Sequence, residues 1–270
     1  MYKRSDYVRI YITYEGPKII ESPVKANILS LLETDDLYFD ELLAKTKKSK
    51  PNLSNHLKIL EEKGIIGSKA DLNDKRKKSF YIKAKQLAEL SSNINYDIDM
   101  ENYFKNSLIT VIPLNDPASF YGLLFTTIRI YLSENGIDIY PLLFNIGNFT
   151  GESIYEYVKS PETEKVMDNV GNLWKRYDLG DFKSINVDPI TIRIDNNFEC
   201  KDMVNIDRSN CAIGAGIFKS IFSKHFESEV LVDEVKCVAK GDDHCLFNIK
   251  KVGKKNSYIP KKYHRDYLNI

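Results

Sequence analysis

Apolar and polar positions alternate in residues 7–14, Tyr-Val-Arg-Ile-Tyr-Ile-Thr-Tyr, which predicts an edge strand or arm. From Ser22 the period lengthens to that of a helix. Ser22 is a candidate N-cap, Pro23 suits the first helical position, and the apolar spacing runs to Glu33. A short second helix is predicted over Leu37–Lys45, with Phe39, Leu42 and Leu43 inward. Ser49–Lys63 gives a third, with Leu53, Leu57 and Leu60 as the buried stripe and Gly64 as its stop. Ile65–Lys69 and Ser79–Lys83 then read as two strands around Asp71–Lys78, a hairpin whose tip carries Lys75, Arg76, Lys77 and Lys78. Three short helices followed by a β-hairpin define a winged helix-turn-helix.

The pattern becomes polar over residues 85–105, with Ala84–Ser92 read as partly helical and a domain boundary near residue 100. Beyond it, Ser107–Pro113 reads as a strand, and helices are expected over Phe120–Ser133, Tyr140–Val158 and Pro161–Tyr177. Gly147 and Gly151, four apart, would let a neighbouring helix approach closely. Ile185–Ile194 reads as two strands joined near Asp188-Pro189, Asn205–His225 as a helix, and Val230–Ala239 with Cys245–Val252 as a hairpin turning at Gly241-Asp242-Asp243. The expected fold class is α+β: an N-terminal winged helix-turn-helix (1–100, with linker), a C-terminal antiparallel sheet with packed helices (101–252), and a basic tail (253–270).

The net charge of +1 excludes nucleic-acid binding by overall charge, so a basic face is required. Residues 22–84 provide one, with 13 Lys and Arg against 9 Asp and Glu. Lys48, Lys50, Asn52, Ser54, Asn55 and Lys58 are the exposed candidates on the third helix. The hairpin residues Lys75, Arg76, Lys77 and Lys78 would hold phosphates. No apolar run reaches membrane-spanning length, since Phe120–Leu132 is broken by Arg129, and the N-terminus lacks a secretion signal. A cytoplasmic location without membrane contact is therefore expected.

All four cysteines, Cys200, Cys211, Cys237 and Cys245, fall in the last third of the chain. In a reducing compartment such clustering points to soft-metal ligation or to thiol–disulfide switching; the ordinary alternative is four small buried apolar side chains. Cys211 opens a helical run, where the helix dipole favours a thiolate. Glu234 precedes Cys237 by three residues, so a regular strand would point them to opposite faces, and a bulge is needed for both to reach one ion. Cys200, Cys237 and Cys245 are the candidate redox-active thiols. Phe120, Tyr121, Phe125, Tyr140, Phe144, Phe149, Tyr155 and Trp174 would line an apolar cavity or form core. No Ser–His–Asp triad, paired acids or phosphate loop is present, and His225 and His244 offer only a Cys–His pairing, so an enzyme is not expected.

Leu-Ser-Asn-His-Leu-Lys-Ile-Leu-Glu-Glu-Lys-Gly-Ile-Ile, from Leu53, resembles the ArsR-like winged-helix repressors over residues 20–85. Cys211, Glu234 after 22 residues, Cys237 after two more and Cys245 after seven, followed by an apolar strand, resembles the zinc site of 4-vinyl-reductase-type sensor domains. That resemblance implies zinc, one per chain, held by Cys211, Glu234, Cys237 and Cys245, with Cys200 outside the set. The two modules together resemble the redox-sensing transcription regulators of methanogenic archaea. This second resemblance implies a homodimeric repressor on promoter DNA controlled by thiol oxidation or zinc. The alternatives are control by a small apolar ligand with structural zinc, or an enzyme accessory.

Overall fold

A computed structural model of the chain describes residues 7–71, 74, 77–91, 99–111, 117–203 and 209–252. Strands β1 (Tyr7–Thr13) and β2 (Gly16–Ile20) form a hairpin that precedes three helices, α1 (Pro23–Thr34), α2 (Phe39–Thr46) and α3 (Lys50–Glu62). Between α1 and α2, β3 (Leu37–Tyr38) pairs with β5 (Lys78–Ile82), which in turn pairs with β4 (Ile66–Ala70). Leu42, Leu53 and Leu60, each fully buried, meet Ile28, Leu29 and Ile65 in one core. The helical stripes of the sequence pack as their period requires. Ser22 caps α1 by accepting a hydrogen bond from the Lys25 amide at 3.4 Å. Ser22→Ala should cost about 1 kcal/mol and lower the melting midpoint by roughly 2–4 °C. An unchanged midpoint in a circular-dichroism melt would count against the cap.

The structure corrects three sequence expectations. β1 is not an edge strand, because it lies between β2 and β6 (Lys85–Ser91) in a sheet ordered β2-β1-β6-β7, where β7 is Ile137–Asp138. The segment expected to be partly helical is β6 itself. Its pairing with β1 supplies the backbone partners, and tertiary pairing overrides local propensity. Ser107–Pro113 is not a strand, because Ser107–Val111 is the end of helix α4 (Met100–Val111). Asp99 starts that helix by accepting from the Asn102 amide through Oδ1 at 3.0 Å, a cap that outweighs the β-branched run.

Helix α5 (Pro117–Glu134) leads through Gly136 into β7. Helices α6 (Tyr140–Val158) and α7 (Thr163–Arg176) precede β8 (Asp181–Val187) and β9 (Ile190–Asp195). Helix α8 (Ala212–His225) and the hairpin of β10 (Val230–Lys236) and β11 (Cys245–Lys251) complete an antiparallel sheet ordered β10-β11-β9-β8. Trp174 is fully buried and stacks on Phe218 with centroids 5.0 Å apart, and Phe218 meets Phe247 edge-on. This aromatic column joins α7 and α8 to the sheet. Gly147 and Gly151 of α6 face the main chain of α8, where a Cβ would meet the carbonyl oxygens of Ile213 and Ile217 at 2.1 and 2.6 Å. The two helices are in direct backbone contact, which fixes where α8 begins.

Candidate metal centre

Every cysteine of the chain arrives at one point by a different route. Cys200 follows β9 through a turn in which the amides of Cys200 and Lys201 donate to the Asn197 carbonyl. Cys211 is the N-cap residue of α8. Cys237 follows β10 directly, and a single 3-10 turn, Val238–Lys240, reverses the chain before Cys245 opens β11. Gly241 closes that turn at φ +95°, a conformation that L side chains rarely adopt. The Asp242 carboxylate accepts from the Cys237 amide at 2.8 Å and holds the turn against the strand end.

All four thiols are fully buried, and their Sγ atoms lie within 4.8 Å of one another. Cys200 is 3.1 Å from Cys245 and 3.3 Å from Cys211, while Cys211 is 3.5 Å from Cys245 and 3.7 Å from Cys237. A tetrahedron with Zn–S bonds of about 2.3 Å has S···S edges of about 3.8 Å. These four edges are therefore close to, and slightly shorter than, those that a tetrahedral thiolate site demands. Hydrogen bonding from Cys200 and Cys211 favours the Cys245 thiolate, aided by the Val238 amide, and lowers Cys237 to about 7. Burial is the largest influence on Cys211 and, with the neighbouring thiols and Glu234, raises it well above the ordinary thiol range.

The bulge required by the spacing of Glu234 and Cys237 is present, as the β10–β11 register shifts between Glu234 and Lys236. Glu234 nevertheless is not a member of the mutually close set, and Cys200, expected outside it, is. Glu234 Oε2 instead accepts from the Cys211 amide at 3.1 Å, and its buried Oε1 has no hydrogen-bond partner. Burial, with the neighbouring Cys237, raises this carboxyl to about 8. Neither His225 nor His244 joins the set: His225 Nε2 lies 2.9 Å from Thr163 Oγ1, and His244 Nδ1 2.6 Å from Asp243 Oδ1.

Two residues of the surroundings went unread in the sequence. Arg129, buried in α5, donates to the carbonyl oxygens of Glu199 (2.9 Å) and Asn210, the residues immediately before Cys200 and Cys211. The Glu199 carboxylate accepts from the amides of Ile213 (3.0 Å) and Gly214 (2.7 Å) in the first turn of α8. Burial raises Glu199 to about 7, partly offset by Arg129 and those amides. The signal was available: a lone arginine in an otherwise apolar helix must have a partner. The aromatics read as cavity lining or core divide between the interior and the surface. Phe120, Tyr121 and Phe149 face outward, Trp174 is core, and Tyr140 stacks on Phe144.

On the N-terminal side, Lys48, Lys50, Asn52, Ser54, Asn55 and Lys58 are all exposed. Ser54 and Lys58 of α3 face Lys77 and Lys78 of the hairpin across one cleft of about 800 Å³. Lys75, Arg76 and the basic tail lie outside the described residues. No helix among the described residues is long and apolar enough to cross a membrane.

The chain thus combines a helix-turn-helix with a sheet-and-helix domain that carries a thiol cluster. Residues 22–68 match the family described as "Bacterial regulatory protein, arsR family", and residues 190–251 match the V4R domain. The chain is a fusion of an ArsR-type helix-turn-helix with a C-terminal V4R domain. Two relatives are from the archaeon Methanocaldococcus jannaschii. Uncharacterized protein MJ0745 is 26% identical over 167 residues, covering 60% of this chain and 81% of that protein. Uncharacterized protein MJ0150 is 24% identical over 160 residues, covering 56% and 86%. Among solved structures, the phenol-responsive sensory domain of the transcription activator PoxR has a TM-score of 0.39 at 15% identity, covering 48% of this chain and 72% of that one. A vinyl-4-reductase family protein from M. jannaschii has a TM-score of 0.37 at 21% identity, covering 57% and 93%.

Proposed function

We propose that the chain is a homodimeric, cytoplasmic transcription repressor whose V4R half controls its winged helix through the four-cysteine cluster. The domains divide near residue 100, and the basic tail follows residue 252. The observation that carries this is the meeting of four buried Sγ atoms within 4.8 Å in a chain that opens with an ArsR-type helix-turn-helix. Zinc, one per chain, suits four sulfur donors at that spacing. Cys200, Cys211, Cys237 and Cys245 would hold it, with Glu234 as the neighbouring carboxylate. Bound zinc would supply cross-linking of β9, α8 and the β10–β11 hairpin.

Oxidation is the proposed signal. One peroxide and two thiols give one disulfide and two waters, the thiols losing two electrons to the peroxide. Cys200 and Cys245, 3.1 Å apart, are the favoured partners. Their disulfide consumes two donors, and the remaining pair makes an incomplete site. Protein purified without oxygen should carry about one zinc per chain. Peroxide should release it, with loss of thiols. Metal retained at full thiol loss, or no metal before oxidation, would refute this scheme. The complete burial of all four thiols favours a second reading, in which zinc is purely structural and a small apolar molecule is the signal. Zinc and thiols that survive peroxide would select it.

DNA contact is assigned to α3 and the wing. Asn55→Ala should weaken operator binding by roughly ten-fold, the effect of losing about 1–3 kcal/mol of base discrimination. Lys77→Ala should reduce the slope of log affinity against log salt by about one. Fluorescence anisotropy on labelled duplex across a salt series measures both. An Asn55→Ala protein with native affinity and specificity would remove α3 from the interface.

A further inference from the structure

Helix α5 carries its polarity the wrong way round for a helix at a protein surface. Thr126, Arg129 and Ser133 are buried, at 3, 4 and 5% exposure. Tyr121, Ile128 and Tyr131, on the opposite face, are 68, 55 and 60% exposed. A surface helix normally turns its apolar stripe to the core and its polar face to water. Tyr121, Leu124, Ile128 and Tyr131 follow one another at intervals of three, four and three residues, so they stand in one row, with Phe120 beside it. The charged side chains of α5 are Arg129, which is buried, and Glu134 at its last position.

The inner face has a structural use, since Arg129 donates to the carbonyls of Glu199 (2.9 Å) and Asn210. The outer row has the size of an interface. At their exposures, Phe120, Tyr121, Ile128 and Tyr131 present roughly 350–550 Å², taking about 150–250 Å² for a fully covered side chain of this kind. Monomers rarely expose a contiguous apolar patch beyond a few hundred Å². An interface of about 800 Å² per partner, about 65% apolar, needs about 500 Å² of such surface.

Charge selects the occupant. The row holds no charge, so the same row laid against it across a twofold axis brings no like charges together. Other occupants fit less well. Residues 253–270 carry five Lys and Arg against one Asp, and the row offers no carboxylate to meet them. An anionic membrane surface asks for basic residues beside the apolar row, and the remaining charge of α5, Glu134, is acidic. We propose that the outer face of α5 is the contact through which two copies of the chain pair, with Tyr121, Leu124, Ile128 and Tyr131 of one helix packed on the same residues of the other. Helix α5 then holds the Cys200 and Cys211 segments through Arg129 on one side and the partner on the other. The inference rests on the homodimer reading and gives it a surface.

Sedimentation equilibrium of the full, reduced chain without DNA measures the pairing. Native protein should be a dimer at micromolar concentration. Ile128→Glu and Ile128→Lys each set a charge in the middle of the row against its own copy and should raise the dimer dissociation constant at least a hundred-fold. Ile128 is more than half exposed, so both variants should keep the native near-ultraviolet circular dichroism. An equimolar mixture of the two sets opposite charges across the axis and should pair at least ten-fold more tightly than either alone. Tyr157→Glu, at an 83% exposed position of α6 outside the row, should pair as native protein does. A monomeric native chain overturns the proposal and leaves the face to the tail or to another protein. Native-strength pairing of a folded Ile128 variant, a mixture no tighter than its components, or equal loss of pairing in Tyr157→Glu overturns it as well. A native dimer that the Ile128 variants leave intact removes this face alone and keeps the homodimer. No readout uses DNA, zinc or peroxide, so failure here is separate from failure of zinc-linked repression.

Discussion

Cys245→Ser is expected to abolish zinc binding and to destabilise the V4R half by on the order of 4 kcal/mol, the scale associated with loss of a structural metal. Cys245 sits tightly in the cluster: its Sγ lies 3.1 Å from Cys200 and 3.5 Å from Cys211, and the Val238 amide points to it. Serine keeps the volume nearly constant but does not ionise in this range, so the fourth donor is lost without a steric change. Three buried thiols then remain around a hydroxyl. Elemental analysis and calorimetric melting of the anaerobic protein measure both effects. The partner experiment is Glu234→Gln. With the four sulfurs as ligands it should retain about one zinc, because Glu234 lies outside the mutually close set and a glutamine oxygen can still accept from the Cys211 amide. A Glu234→Gln protein that loses its zinc, beside a Cys200→Ser protein that keeps it, would restore the Cys3Glu set.

The winged helix was legible because its signals are local. Ser22-Pro23, the stripe Leu53, Leu57 and Leu60, and Gly64 each act through neighbours a few residues away, and each is found in its expected role. The thiol cluster was legible as a cluster, since four cysteines confined to the last third of the chain favour proximity over ordinary burial. Its membership was not. The hairpin placed Cys237 and Cys245 together and the family resemblance added Cys211, but Cys200 enters through the turn after β9, a long-range placement that depends on β9 pairing with β11. Strand alternation did signal the bulge at Glu234, because parity is a backbone property. Misread segments share one cause. In β6 and α4 the preference of a short run was overridden by what lay outside it: pairing with β1 in the first and the Asp99 cap in the second. Arg129 is the clearest omission. It was read as a break in an apolar run, when its burial made it a structural centre for the Cys200–Cys211 segment.

The second large effect is expected at Gly147. An added Cβ would stand 2.1 Å from the Ile213 carbonyl oxygen and 2.8 Å from its carbonyl carbon and Cα. These are main-chain atoms of α8, so no side chain can turn aside, and the helices must separate. Gly216 on α8 makes the converse contact with the Phe144 carbonyl at 2.2 Å, which leaves no slack on the other side of the crossing. Gly147→Ala should therefore cost about 3 kcal/mol, the upper end of ordinary overpacking, despite the better helix propensity of alanine. Separation also carries off the start of α8, and with it Cys211, whose Sγ lies 3.3–3.7 Å from the other three. Zinc affinity should fall together with stability, although residue 147 touches no thiol. Gly122→Ala is the control: its Cβ has open space, so the same exchange should stabilise the protein by up to about 1 kcal/mol. Urea unfolding and competition with a chromogenic chelator measure the two quantities. If Gly147→Ala matches native stability and zinc affinity, α6 and α8 do not meet through their backbones, and the crossing does not set the position of Cys211.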